Sequence, residues 1–176
     1  TVTNCVLNPT LTEFLDYLRA IGCQVTITDK VTISGEPRGT VSVTGGSLKG
    51  KKIAGETTVG LIDEIPMVAV MAAFSEGTTI IRDAGELRVK ESDRLAAISE
   101  NLTRMGVKCG LLDDGLAIEG RQEINGADLL SYGDHRIAMA FSIASLAAVG
   151  PSTMDDTNCV GISCPEFYDL LLRIIA

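Results

Sequence analysis

Two short patterns alternate along this chain of 176 residues, and their alternation restricts the fold more than any other property of the sequence. In the first, Leu18-Arg19-Ala20-Ile21-Gly22-Cys23-Gln24-Val25 and Leu102-Thr103-Arg104-Met105-Gly106-Val107-Lys108-Cys109 each end a helix at a glycine and open a strand. Each strand then turns, at Asp29-Lys30 in one copy and Asp113-Asp114-Gly115 in the other, into a second strand ending at Ser34-Gly35 or Glu119-Gly120. In the second pattern, the apolar runs closing at Gly77 and Gly150 lead through one short strand to the next helix. Between Gly22 and Gly106 lie 84 positions of offset, and between Gly77 and Gly150 there are 73. So long a period excludes a solenoid of short repeats and predicts a few copies of a strand-helix-strand-helix-hairpin unit.

Helices are expected near 9–21, 64–76, 90–105, 134–149 and 165–175, stacked in a common core. Those at 65–74 and 137–149 are apolar almost all round, which marks them as the buried ones. Aromatics make up only 4% of a chain that is 45% hydrophobic, so its interior must be filled by aliphatic and small side chains. The expectation is an α/β fold, residues 1–176 forming one domain. Thr1-Val2-Thr3 reads as the middle of a strand, and the chain is expected to be a fragment of a longer protein.

A net charge of −8 argues against nonspecific binding of nucleic acid or of an anionic membrane, so any anionic ligand must be held by a local cationic cluster. No apolar stretch is long enough to span a bilayer, and the N-terminus carries no secretory signal. Cys5, Cys23, Cys109, Cys159 and Cys164 lack metal-ligand spacing, and with a single histidine no metal site is expected. The odd number of thiols fits a reduced, cytoplasmic protein better than a disulfide framework.

The charged groups gather at helix starts. Asp63-Glu64-Ile65-Pro66 opens one apolar helix, Lys90-Glu91-Ser92-Asp93-Arg94 opens the next, Gly133-Asp134-His135-Arg136 opens the second apolar helix, and Ser163-Cys164-Pro165-Glu166 opens the last. Unpaired amide groups and the positive end of the helix dipole suit each such start to an anion. Taken singly, each residue has a plainer reading: Asp63 and Asp134 as helix caps, Glu91 as a first-turn acid, Arg94 and Arg136 as surface donors, His135 as a packed histidine. If the helices run side by side in one direction, however, these groups share one end of the fold. Cations for an anionic substrate then stand beside carboxylates able to move protons.

Asp63-Glu64-Ile65-Pro66, the run from Glu86 to Leu95 and Asp134-His135-Arg136-Ile137-Ala138-Met139 together resemble the C-terminal half of the 5-enolpyruvylshikimate-3-phosphate synthase family, in order and in spacing. The resemblance implies an enolpyruvyl transferase-like domain of repeated βαβαββ units, with parallel helices and sheets on the outside. It implies transfer of the carboxyvinyl group of phosphoenolpyruvate to the 5-hydroxyl of shikimate 3-phosphate, with release of phosphate and no cofactor. By motif position it makes Asp63 the base for the hydroxyl and Glu91 the group handling the methylene proton. Lys90 is placed near the shikimate hydroxyl, and Arg94 and Arg136 hold the carboxylate and phosphate of phosphoenolpyruvate with His135 alongside. Many relatives carry a lysine before the Thr/Ser-x-Pro of the last helix; Gly161-Ile162-Ser163-Cys164-Pro165 supplies no cation. The family's N-terminal domain, the expected partner of this half, is absent, so negligible turnover is expected from the chain alone. Two other readings stand beside this one: the sister enzyme acting on a UDP-linked amino sugar, and a noncatalytic interaction module whose charges merely cap helices.

Overall fold

The computed structural model describes residues 1–120 and 123–175. In chain order it forms β1 (Val2–Val6), α1 (Glu13–Ile21), β2 (Gln24–Ile33), β3 (Glu36–Thr44), β4 (Lys52–Ile53), α2 (Glu56–Gly60), α3 (Ile65–Ala73) and β5 (Thr78–Ile81). There follow α4 (Arg94–Arg104), β6 (Cys109–Leu112), β7 (Gly115–Glu119), β8 (Asp128–Leu129), α5 (His135–Ala147), β9 (Thr153–Met154) and α6 (Phe167–Ile175).

The repeat is visible in the hydrogen bonding. The middle unit is whole: β4 runs parallel to β5, β5 antiparallel to β7, and β7 antiparallel to β6, in a sheet ordered β4-β5-β7-β6. Before it, β1, β3 and β2 make an antiparallel sheet that matches the β5-β7-β6 part. After it, β8 runs parallel to β9 as β4 does to β5. Three times a strand leads through a 3-10 turn, at Pro9–Leu11, Gly85–Val89 and Asn158–Ile162, into a helix: α1, α4 and α6. The α1 and α4 helices end at Gly22 and Gly106, both at positive φ (113° and 85°), a conformation open to glycine without the steric penalty of a side chain.

Helices α3, α4 and α5 pack together inside, and one continuous apolar cluster runs from Tyr17, Leu18 and Ile21 of α1 through all three. Ile65, Val68, Ala69 and Ala72 of α3 have no exposed surface at all, as an all-round apolar helix requires. At about 1.5–3 kcal/mol for each large aliphatic side chain removed from water, this cluster is the main source of stability.

Three expectations need correction, and one element was not foreseen. The turn at Asp29-Lys30 does not exist: β2 passes through it with a bulge between Thr28 and Val31, and the chain reverses at Ser34-Gly35, where both residues take positive φ (51° and 85°). Two successive residues of that sign are what a tight hairpin turn demands, whereas a lone Asp29 at φ 52° accommodates the bulge. The helix expected from 90 begins at Arg94, because Asp93 accepts from the Ala96 amide (3.0 Å) and so caps it. A short helix, α2, precedes α3 without having been expected. Finally, α6 begins at Phe167 and has no buried residue, so it does not join the common core.

Candidate active site

The amino ends of α3, α4 and α5 meet. Asp63 stands just before α3, Glu91 and Arg94 at the approach and first residue of α4, and Asp134 and Arg136 at the cap and second residue of α5. Arg94 lies at the centre of the cluster. Its guanidinium donates from Nε to Asp134 Oδ2 (2.7 Å), from Nη2 to Glu91 Oε2 (2.7 Å) and Asp134 Oδ1 (3.3 Å), and from Nη1 to Asp63 Oδ1 (3.4 Å). Arg136 approaches Asp63 from the other side, donating from Nη1 to its carbonyl (2.9 Å) and from Nη2 to Oδ2 (3.2 Å). Three carboxylates and two guanidiniums, from segments far apart in sequence, thus form one connected network.

Its two ends differ in burial. Asp134 is wholly buried and the Arg94 side chain is 2% exposed, while Asp63 and Glu91 are 45% and 48% exposed. Asp134 also accepts from the Arg136 amide (2.9 Å), from the Ile137 amide (3.5 Å) and from the Ser92 hydroxyl (3.0 Å). Burial pushes the Asp134 carboxyl upward, but the Arg94 guanidinium, the Arg136 amide and the Ser92 hydroxyl outweigh it and hold the group below its ordinary value. A charge this deep is tolerated only because every oxygen is paired.

Local sequence explains how Lys90 and Glu91 reach this place. Arg88 donates to the carbonyls of Leu112 (2.8 Å) and Asp113 (3.0 Å) and to Asp93 (2.9 Å), pinning the segment before α4 to the β6–β7 turn. Lys90 then takes an extended backbone (φ −80°, ψ −156°), so Lys90 and Glu91 project from the approach to α4 and are not part of its first turn. Lys90 pairs with Glu86, whose hydrogen bond, with the nearby Asp63 charge adding to it, raises the ammonium above its ordinary value. His135 is 8% exposed, and its Nδ1 is buried without a hydrogen-bond partner among the described residues. Beside Asp63 and Arg136 opens a cavity of about 270 Å³ whose wall includes Glu64, Met67, Met139 and Phe167. Gly161 and Ile162 finish a 3-10 turn and bring no cation to that side.

All six residues singled out from the sequence therefore lie at this one end, with Asp63, Glu91, Arg94 and Arg136 in a single bonded cluster. Asp63 is not a helix cap, since Glu64 holds that position, and Arg94 is no surface donor. What sequence reasoning missed is the second role of Asp134: as well as capping α5 it is the buried counter-ion of Arg94, and Ser92 supports it. The position of Asp134 at a helix start was a signal for the cap, but nothing local signals a partner 40 residues away.

This architecture has named relatives. The model of the EPSP synthase (3-phosphoshikimate 1-carboxyvinyltransferase) family matches residues 1–171. The chain belongs to the EPSP synthase family. It is 48% identical to the 3-phosphoshikimate 1-carboxyvinyltransferase of Synechococcus sp. (strain JA-3-3Ab) across 96% of this chain and 38% of that protein. With the enzyme of the same name from Anaeromyxobacter sp. (strain K), identity is 48% across 99% of this chain and 40% of the relative. Among solved structures, EPSP synthase from Acinetobacter baumannii superposes with a TM-score of 0.93 at 36% identity, covering 98% of this chain and 40% of that one. The enolpyruvyl transferase NikO from Streptomyces tendae shares the fold, with a TM-score of 0.70 at 21% identity. The chain spans about 40% of the length of these EPSP synthase relatives. No described helix is long and apolar enough to cross a membrane.

Proposed function

We propose that this chain supplies one wall of a site that transfers the carboxyvinyl group of phosphoenolpyruvate to the 5-hydroxyl of shikimate 3-phosphate. The remainder of the family-length protein supplies the opposite wall. The observation that carries this reading is the network at the three helix starts, in which Asp63 and Glu91 share the Arg94 guanidinium and Asp63 also accepts from Arg136. The chemistry asks for that combination. The enol carbon of phosphoenolpyruvate accepts an alcohol only when its methylene carbon gains a proton, and the alcohol must lose its own. Collapse of the adduct then expels phosphate and returns a methyl proton to a base.

Asp63 takes the hydroxyl proton, and Glu91 gives and later recovers the proton at the methylene carbon. Arg94 and Arg136 hold the phosphate and carboxylate, a task for which planar guanidinium is suited, and Lys90 and His135 complete the wall. An incoming anion competes with Glu91 and Asp63 for the guanidiniums, so binding also frees the two carboxylates. The reaction uses no metal or organic cofactor. The partners are the two phosphorylated metabolites and the missing domain, with neither nucleic acid nor membrane. The five free thiols support a cytoplasmic location.

The test uses a chimera in which this chain replaces the matching part of the Synechococcus relative. Phosphate release with shikimate 3-phosphate as acceptor is the expected result, with none from the 176-residue chain alone. Activity only with a UDP-linked amino sugar would assign the sister reaction instead, and no activity in a folded chimera would reject the proposal.

A further inference from the structure

The hairpins of the first two repeats differ in length, and the longer one encloses space. Strands β6 and β7 have four and five residues in unbroken register, whereas β2 and β3 have ten and nine. The extra length carries the far half of the β2–β3 hairpin out of the core, leaving Val31 53% and Ile33 52% exposed. Between that overhang, Leu7 after β1 and one side of α1 lies a cavity of about 420 Å³, a volume typical of small-molecule sites.

Its walls combine an apolar surface with charge. Leu7, Leu15, Ile27, Val31 and Pro37 supply the apolar part, and Arg19, Lys30 and Arg38 stand around it with Asp16 as the one carboxylate. The bulge between Thr28 and Val31 makes this possible. Strict alternation would send successive side chains to opposite faces of the sheet, yet Lys30, Val31 and Thr32 all line the cavity. Of the three cations, Arg19 is paired with Asp16 at 2.5 Å. Arg38 donates to the carbonyl and Oδ1 of Asn4 (3.5 and 3.1 Å), neutral acceptors that leave its charge uncompensated. Lys30 has no ion pair among the described residues, and its neighbour Asp29 accepts from the Thr28 hydroxyl (3.0 Å) and is not part of the wall. Three cations against one carboxylate, in a chain of net charge −8, reverse the sign of the local field and draw anions to this place.

We propose that this cavity binds a small organic phosphate monoester, its phosphate held by Lys30 and Arg38 and its hydrocarbon part lying on Leu15 and Ile27. Near neutral pH such a phosphate carries about two negative charges, which matches the surplus of cations. The apolar wall favours an ester over bare phosphate, because only the ester has hydrocarbon to remove from water. The site shares no wall residue with the cavity beside Asp63 and Arg136, and it is independent of the reaction assigned to the helix starts.

Phenyl phosphate is the probe, titrated into the 176-residue chain with methyl resonances as the readout. Saturable shifts of the Leu15 and Ile27 methyl groups are the expected result, with inorganic phosphate and benzyl alcohol each binding about tenfold more weakly or less. Lys30→Glu with Arg38→Gln should weaken phenyl phosphate by about tenfold or more. Because Arg38→Gln also removes the contact with Asn4, Lys30→Glu alone provides a second measure: about fivefold weaker binding at an unchanged melting temperature. Lys52→Glu makes the same change of charge outside this cavity and should leave binding within about twofold. Shifts confined to other methyl groups, inorganic phosphate binding as tightly as the ester, or undiminished binding by both Lys30 variants would each overturn the proposal. So would loss of binding in the Synechococcus chimera, which would show that the rest of the longer polypeptide covers the cavity.

Discussion

Arg94 and Arg136 carry the same group, begin neighbouring helices and share Asp63, yet they stand in opposite physical regimes. Arg94 is buried, and Asp134, also buried, takes its Nε while Glu91 takes Nη2. The Arg136 side chain is a third exposed, and its guanidinium bonds only to Asp63 among the described residues. In the low dielectric around Arg94, breaking the pair leaves an uncompensated charge, whereas at the rim water replaces whatever is lost. The difference separates two tasks in one site. Asp134 fixes the direction of Arg94 and the first turn of α5, while the rim groups Asp63, Glu91 and Arg136 remain exchangeable with a ligand.

The strongest attempt to break this contrast is Asp134→Ala, which strands Arg94 and uncaps α5. It should cost about 3–5 kcal/mol in urea unfolding. A loss under about 1 kcal/mol would mean that Arg94 finds water or another partner. Next in size, Arg94→Met combined with Asp134→Leu should be less damaging than the sum of the single changes by about 2 kcal/mol, because the double variant leaves no lone buried charge. Additive losses would remove the coupling on which the buried half rests.

The acid limb sharpens the comparison further. The Asp134 carboxyl lies below its ordinary value in the folded chain, while in the unfolded chain it returns to about 3.9. The stability it contributes is therefore complete above about pH 4 and is lost as pH falls toward the folded value. Asp134→Asn should flatten that part of the urea midpoint against pH, and an unchanged slope would assign the acid sensitivity elsewhere. The smallest effect belongs to the rim: Arg136→Ala should change stability by less than about 1 kcal/mol. A loss as large as that of Asp134→Ala would erase the distinction between the two arginines.

Much of this molecule was legible because the relevant signals are local. Apolar runs gave α3 and α5, which end at Ala73 and Ala147, short of the 76 and 149 expected from the glycines that follow, and Asp113-Asp114 gave the β6–β7 turn. Family motifs brought Asp63, Glu91, Arg94 and Arg136 together on paper before the helices did so in space. What escaped depends on partners distant in sequence. Asp29-Lys30 has turn chemistry, but pairing with β3 continues beyond it and makes a bulge. The start of α4 was misplaced because Arg88 ties the preceding segment to a turn 24 residues on. The helix expected at 165–175 forms as α6 but was wrongly placed in the common core, because helix formation is local whereas the cover for an apolar face comes from elsewhere.

Asp63 and Glu91, on the approaches to α3 and α4, are proposed to move protons on an anionic substrate, and Glu91→Gln and Asp63→Asn, made separately in the chimera, are the sharpest test. Steady-state phosphate release should fall by about 100-fold or more for each variant, while melting temperatures stay close to that of the unchanged chimera. Undiminished kcat in both variants would show that neither group moves a proton, and the account of the site would be wrong.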